Sequence, residues 1–311
     1  LTANKSAADI LGADNTAGRN ILHVCRDMGF IVGVKGCLSG INSEIDFERG
    51  ARVYNVLFSH VSNEDAITGA VILLLDISDK HESEKQRREF SANVSHELKT
   101  PLTTISALAE IMENGMADSG DIKTFAGKIS AQSRRLIHII EDIIKLSEFD
   151  EGGIAAEHTE FDLCELARSA ADALRERADE KNVSVSIDGG RISITANRQM
   201  IDELLYNLID NAIKYNNDGG SVAVTLSKEN GLCKISVADT GIGIAPEHQA
   251  RVFERFYRAD KSRSKKTGGT GLGLSIVKHI AEYHGGSVRL ESSIAAGTTV
   301  ECLIADTGYR S

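Results

Sequence analysis

The sequence predicts a multidomain α+β protein in three parts: a small mixed α+β module over 1–78, a helical hairpin over 79–152 and an α/β sandwich over 153–311. Three observations carry that reading. At 311 residues the chain exceeds what one hydrophobic core usually serves, and a prior of about 150 residues per domain gives two parts and permits three. The hydrophobic periodicity changes twice, from short alternating runs to a three-and-four repeat and then to a mixture of both. Only 2 residues are proline, against about fifteen at average usage, which suits a helix-rich chain.

In residues 1–78 the runs Phe30 to Val34, Val53 to Val61 and Ala70 to Ile77 alternate between Gly and Asn/Asp turn signals, the pattern of a small sheet with helices. His23, Cys25, Cys37 and His60 lack ligand spacing, so no haem, flavin or metal site is expected there. From Asp79 to about Met112, Phe90, Val94, Leu98, Pro101, Ile105, Leu108 and Met112 recur three and four apart, one buried stripe on a long charged helix. A loop rich in Gly, Asn, Asp and Ser follows, Asn114 to Gly120. Then Ile122, Phe125, Ile129, Leu136, Ile139, Ile143 and Leu146 run at heptad spacing. Two helices cannot cover both stripes and also Ile137, Ile140 and Ile144, so a four-helix bundle made by two chains is expected. Beyond the break Glu151-Gly152-Gly153 the pattern predicts a helix near 162–180, strands near 183–195, a helix near 197–215, and hairpins at 221–239 and 287–305.

The formal net charge of −10 argues against generic binding to nucleic acid or to an anionic membrane surface. Any anionic ligand must be met locally. Five cysteines, scattered and without a C-x-x-C pair, suggest neither a disulfide framework nor a zinc site and fit a reducing compartment. No apolar run approaches the ~18–20 residues of a membrane span. Because the chain opens on Leu1 with no basic-then-apolar signal, it reads as a cytoplasmic piece of a longer protein.

Five groups of residues can do chemistry or meet a ligand. His96 lies two positions from Val94 and from Leu98, which at 100° per residue turns it away from the buried stripe. An exposed His beside Glu97 can act as a nucleophile whose imidazole proton the carboxylate holds or takes. Alone, the dipeptide reads better as a plain surface pair. Pro101 shifts the weighing, since it deletes the bond to the Glu97 carbonyl and bends the helix one turn after His96. On the helix near 200–215, Asn207, Asn211, Lys214 and Tyr215 share one face. Amide oxygens at that spacing can hold hydrated Mg²⁺, and Lys214 can meet a phosphate. An ordinary polar face is the bland reading.

Asp239-Thr240-Gly241-Ile242-Gly243-Ile244 ends a strand with a carboxylate and glycines that let backbone approach a flat ligand. It can also be a simple Asp-Thr-Gly turn. Gly268 to Ser275 leads into an apolar helix, where free amides can meet phosphate oxygens. It matches neither a Walker A loop nor a dinucleotide fingerprint. Between the glycine segments, Arg251 to Lys266 carries seven basic residues against Glu254 and Asp260. That local excess points to a polyphosphate under a mobile lid, with a solvated charge run as the alternative.

Taken together, the segments resemble a known family. FSANVSHELKTPL (90–102) resembles the H box of two-component sensor histidine kinases, LLYNLIDNAIKYN (204–216) their N box, DTGIGI (239–244) the G1 box, FERFYR (253–258) the F box and GGTGLGLSIV (268–277) the G2 box. The resemblance covers roughly 80–305, and phosphate-sensing and cell-wall-sensing membrane kinases are its nearest types. Residues 1–78, ending in Leu75-Asp76-Ile77-Ser78, resemble a PAS sensor domain whose first strand is missing.

The resemblance implies that His96 is the phosphoacceptor, Glu97 its acid/base neighbour, and Thr100 the residue orienting water when a partner regulator is dephosphorylated. It implies an ATP site of the gyrase and histidine-kinase type. There Asn211 ligates Mg²⁺ with help from Asn207, Lys214 and Tyr215 line the nucleotide, and Asp239 reads adenine while Gly241 and Gly243 pass close to the base. Arg258 reaches toward the terminal phosphate, and Gly269, Thr270, Gly271, Leu272 and Gly273 serve the lid and phosphates. It implies a homodimer, a response-regulator receiver domain as partner, and a membrane anchor outside this chain. Hydrolytic relatives place a Glu where this chain has Asn207, which favours transfer to histidine over hydrolysis. A phosphatase-biased or non-catalytic scaffold and a hydrolytic ATPase remain as rivals.

Overall fold

The computed structural model describes residues 2–12, 20–63, 66–150, 158–259 and 269–308. It forms two compact units, Leu1–Ser91 and Ala92–Ser311. In the first, α1 (Lys5–Leu11) and α2 (Met28–Leu38) accompany a three-stranded antiparallel sheet of β1 (Ser43–Arg49), β2 (Arg52–Asn63) and β3 (Ala66–Asp76), in that order. Phe30, Val34, Cys37, Phe47, Tyr54, Val56 and Phe58 make its core.

One expectation is corrected here: Phe30 to Val34 is not an extended run but part of α2. The Asp27 carboxylate accepts the Phe30 N–H at 2.8 Å and starts the helix. Buried Phe30, Val34 and Cys37 then recur at four and three. Gly33 allows Phe58 to lie against the helix backbone, since a Cβ there would come within 2.6 Å of the ring.

The strand-to-helix junction is pinned by Asp76. Its Oδ1 accepts the Ser78 N–H at 3.0 Å and the Ser78 hydroxyl at 2.6 Å, and its Oδ2 accepts Arg52 at 3.2 Å. The Ser78 hydroxyl is the main cause that holds this carboxyl below its usual range. Helix α3 (Ser78–Glu113) starts there, and α4 (Ser119–Asp150) returns after a short loop. Asp118 accepts the N–H groups of Gly120 and Asp121 at 2.9 and 2.8 Å, satisfying two donors at the start of α4. Ile139 and Leu146 are fully buried, whereas Leu102, Ile137, Ile140 and Ile144 stay 46–59% exposed in the single chain. The Glu151 to Gly153 break falls outside the described residues. No helix among the described residues is long and apolar enough to cross a membrane.

The remainder of the second unit is a two-layer α/β arrangement. A sheet of β5 (Ser184–Asp188), β7 (Ser221–Glu229), β8 (Leu232–Asp239), β10 (Gly297–Ala305) and β9 (Ser287–Ser293) runs in the order β5-β7-β8-β10-β9, parallel only between β5 and β7. A separate pair joins β4 (Thr159–Asp162) to β6 (Ser193–Ala196). Helices α5 (Leu163–Ala173), α6 (Arg175–Glu180), α7 (Arg198–Lys214) and α9 (Gly273–Tyr283) form the second layer, while α8 (Pro246–Gln249) is one turn with Pro246 at its first position. Strand β7 alternates, with Val222, Val224 and Leu226 inward, as a sheet wet on one face should. Leu204, Leu205, Ile209, Ile276 and Ile280 cover it and are essentially inaccessible. Emptying one such position to Ala costs about 2–5 kcal/mol.

A buried imidazole joins two helices of that layer. His284, 4% exposed, donates from Nδ1 to the Ile280 carbonyl at 2.8 Å and accepts the Asn197 N–H on Nε2 at 3.3 Å. Asn197 in turn caps α7 through Met200. Both ring nitrogens are used by the neutral form, and burial pushes the His284 pKa down. The unfolded chain therefore takes up a proton below about pH 6.5 that the fold refuses, so stability is complete above that pH and falls below it. Between pH 7.5 and 5.5 the melting temperature of the chain is expected to drop more than that of His284→Gln, as read by paired thermal melts.

Candidate active site

Pro101 is the one buried residue of α3, and its stripe turns His96 outward: the His96 side chain is 80% exposed while that of Glu97, one residue on, is 14% exposed. The two sit close without a hydrogen bond, with His96 Nδ1 4.0 Å from Glu97 Oε1. Glu97 is engaged elsewhere. Its Oε2 accepts Arg135 Nη2 of α4 at 2.9 Å, and its Oε1 accepts Arg258 Nη2 at 2.7 Å. Arg258, with a side chain only 9% exposed, also donates from Nη1 to the Gly269 carbonyl at 2.9 Å. Thr100 donates its hydroxyl back to the His96 carbonyl at 3.1 Å, one turn up the helix. His96 and Thr100 line a shallow concavity with Lys99, Thr103 and Leu108.

Helix α7 presents the amide face. Asn207 Nδ2 donates to the carbonyl and to Oε1 of Glu203, both at 2.9 Å, which leaves Oδ1 turned toward Gly273. Glu203 Oε2 is held by Lys145 of α4 at 2.7 Å. At the helix end, Lys181 donates to the carbonyls of Lys214, Ile213 and Asn216 at 2.6, 3.3 and 3.3 Å, satisfying acceptors that a helix C-terminus leaves open. Burial pushes the Lys214 ammonium below its usual range, with Asp210 opposing.

Asp239 closes β8. The Gly241 and Thr298 N–H groups both donate to its Oδ1, at 2.7 and 3.3 Å, leaving Oδ2 for another donor. Burial raises this carboxyl despite those two bonds. On the glycine-rich side, Thr270 donates to Asp142 Oδ2 of α4 at 2.9 Å and accepts the Leu272 N–H at 3.2 Å. Burial likewise raises Asp142.

These elements enclose a cavity of about 1170 Å³, lined by Asn207, Asn211, Lys214, Tyr215, Asp239, Gly243, Arg258, Gly269, Thr270, Gly271 and Gly273. The structure thus brings most of the sequence-derived set to one place. Two members differ. The Leu272 side chain is fully buried in the core, and Gly241 stands behind the wall, where a Cβ would collide with the Tyr215 carbonyl. Lys261, Arg263, Lys265, Lys266 and Gly268 lie outside the described residues. The sequence reading missed Arg135, Asp142 and Lys145 of α4, which line the same cavity. Their spacing, seven and then three residues, puts them on one helical face, and that was the available signal.

The His Kinase A (phospho-acceptor) domain model matches residues 86–152, and the model of the histidine kinase-, DNA gyrase B- and HSP90-like ATPases matches residues 196–307. The chain belongs to the sensor histidine kinases. It is 39% identical over 231 residues to the sensor-like histidine kinase SenX3 of Mycolicibacterium smegmatis, covering 74% of this chain and 60% of that one. It is 34% identical over 263 residues to the sensor histidine kinase WalK of Bacillus subtilis, covering 83% and 43%. The chain therefore spans less than two thirds of the length of these relatives. Among solved structures, the histidine kinase AdeS of Acinetobacter baumannii has a TM-score of 0.56 at 23% identity, over 68% of this chain and 98% of that one. Histidine kinase ThkA, solved in complex with response regulator protein TrrA, has a TM-score of 0.57 at 24% identity, over 98% and 91%. Both show the fold.

The cavity of this sensor histidine kinase fits a nucleotide. It has the volume of a small-molecule site, and its lining includes the half-buried cation Lys214, Arg258, and Asp239, whose Oδ2 is left for another donor. A divalent cation fits more sparingly. Among the described residues no group of three His, Cys, Asp or Glu side chains converges, so amide oxygen from α7 and phosphate oxygens would have to supply its ligands, the usual arrangement for Mg²⁺. The tight backbone passage at Gly241 yields a stability test. Gly241→Ala is expected to cost about 1–3 kcal/mol, lowering the melting temperature by several degrees in calorimetry.

Proposed function

We propose that the chain is the kinase portion of a two-component sensor: it transfers the terminal phosphoryl group of ATP to His96, and from there to an aspartate of a response-regulator receiver domain. The observation that carries this reading is the direct bond from Glu97, neighbour of the exposed His96, to Arg258 on the wall of the nucleotide cavity. A hydrolytic enzyme of the same fold has no use for such a link.

In the proposed reaction His96 Nε2 attacks the γ-phosphorus, an N–P bond forms, the bond to the β,γ-bridging oxygen breaks, and ADP leaves. Nδ1 is the nitrogen nearer Glu97, so that carboxylate holds or takes its proton. Asp239 Oδ2 accepts from the exocyclic amine of adenine, Gly243 passes along the base, and Lys214 and Tyr215 line the sugar-phosphate side. Arg258 leaves Glu97 to meet the terminal phosphate. Gly269, Thr270, Gly271 and Gly273 bring backbone to the phosphates, with Leu272 anchoring that loop in the core. Asn211, assisted by Asn207, would hold Mg²⁺, which supplies charge neutralisation between phosphate oxygens when bound. Asn207 offers an amide where a water-activating base would stand, which supports transfer rather than hydrolysis. Thr100 serves regulator dephosphorylation by orienting water.

The assembly follows the same reading. Residues 1–78 act as a PAS-like sensor, 79–152 as signalling helix and phosphotransfer hairpin, and 153–311 as the ATP-binding domain. The exposed Ile137, Ile140 and Ile144 would be covered by a second copy in a four-helix bundle. A membrane anchor belongs to the longer protein. Incubation with labelled ATP and Mg²⁺ is expected to give acid-labile, base-stable label that His96→Gln eliminates, and label persisting in that variant sinks the assignment. Asn211→Ala is expected to lower labelling at least a hundredfold while sedimentation still reports a dimer.

A further inference from the structure

Glu97 is shared by two guanidiniums with different attachments. Both line the cavity, but Arg258 is bonded to the glycine-rich loop through Gly269, whereas Arg135 sits on α4, in the same hairpin as His96. If Arg258 turns to phosphate, Oε1 of Glu97 is released at the moment His96 needs it. A free glutamate on a helix surface then samples many rotamers. Arg135 prevents that: it grips Oε2 at 2.9 Å with a side chain 14% exposed, and its hold does not depend on the ATP-binding elements. Its Nε is buried with no partner among the described residues. Retaining such a donor is unfavourable, and a guanidinium kept there at that cost is better explained by what its other end holds than by stability.

We infer that Arg135 is a positioning residue for histidine phosphorylation: it keeps the Glu97 carboxylate beside His96 Nδ1 after Arg258 has departed. The inference rests on the proposed kinase reaction and adds the device that makes Glu97 usable in it. Only one oxygen of Glu97 is bound by Arg135, and the other lies 4.0 Å from Nδ1, so a small side-chain rotation closes the hydrogen bond without breaking the Arg135 contact.

The test compares Arg135→Met, Arg135→Lys, Glu97→Gln and the double variant Glu97→Gln/Arg135→Met in the whole chain. Arg135→Met is expected to lower kcat for His96 labelling about tenfold with KM for ATP within twofold of the parent, and Arg135→Lys to recover part of the loss. The double variant is expected to label no more slowly than Glu97→Gln, because a residue acting only through Glu97 has nothing left to lose. Phosphoramidate, a donor that needs no nucleotide, is run in parallel with His96 modification read by mass spectrometry. The same non-additivity there supports the inference even where ATP labelling is absent. Losses that multiply in the double variant, or Arg135→Met within twofold of the parent with both donors, overturn it.

Discussion

The Glu97 carboxylate, shared between Arg135 and Arg258, is the interaction on which the site's organisation turns. It is the contact that ties the residue next to the exposed imidazole to the wall of the nucleotide cavity. A carboxylate and two guanidiniums at 9–14% exposure are expensive to withdraw from water, and removing one member leaves an unpaired charge. Such a cluster makes sense where its members change partners. Glu97 can give up one arginine and remain paired with the other, so the cost of exchange is limited to a single contact.

Around that contact, α4 serves as a rail. Arg135 holds Glu97, Asp142 holds Thr270 of the glycine-rich loop, and Lys145 holds Glu203, which orders the Asn207 amide. Within three turns of one helix, α4 thus reaches Glu97 beside His96, the loop and the amide face. A small rotation of α4 about its axis would alter all three together. This gives a physical route by which a change in the helical hairpin reaches the nucleotide site, through two-position contacts rather than through continuous deformation.

Much of this was readable in the chain. The stripe Val94, Leu98, Pro101 placed His96 outward, and the 80% exposure agrees. The strand alternation of 221–239 and 287–305 gave both hairpins. Asn207, Asn211 and Lys214 share a helix face that meets Asp239 only because β8 lies beneath α7, a relation with no local signature. Two things escaped. Phe30 to Val34 was misjudged because glycines at 29, 33 and 36 hide the helical period, and the deciding contact is a tertiary one with Phe58. The α4 charges escaped because charged residues flanking a heptad stripe are ordinarily solvent-facing, and nothing within the helix says that Glu97, Glu203 and Thr270, 38 to 128 residues away in the chain, meet them.

The neutral imidazole at His284 has one more consequence. It couples the end of α9 to the start of α7, the two helices that carry the glycine-rich loop and the amide face. The joint contains no net charge, so electrolyte does not screen it, whereas surface pairs such as Arg251 with Glu254 weaken as the Debye length shrinks. Rising ionic strength therefore acts selectively: the His284 joint between α9 and α7 is left as it is, while exposed pairs such as Arg251 with Glu254 lose part of their attraction.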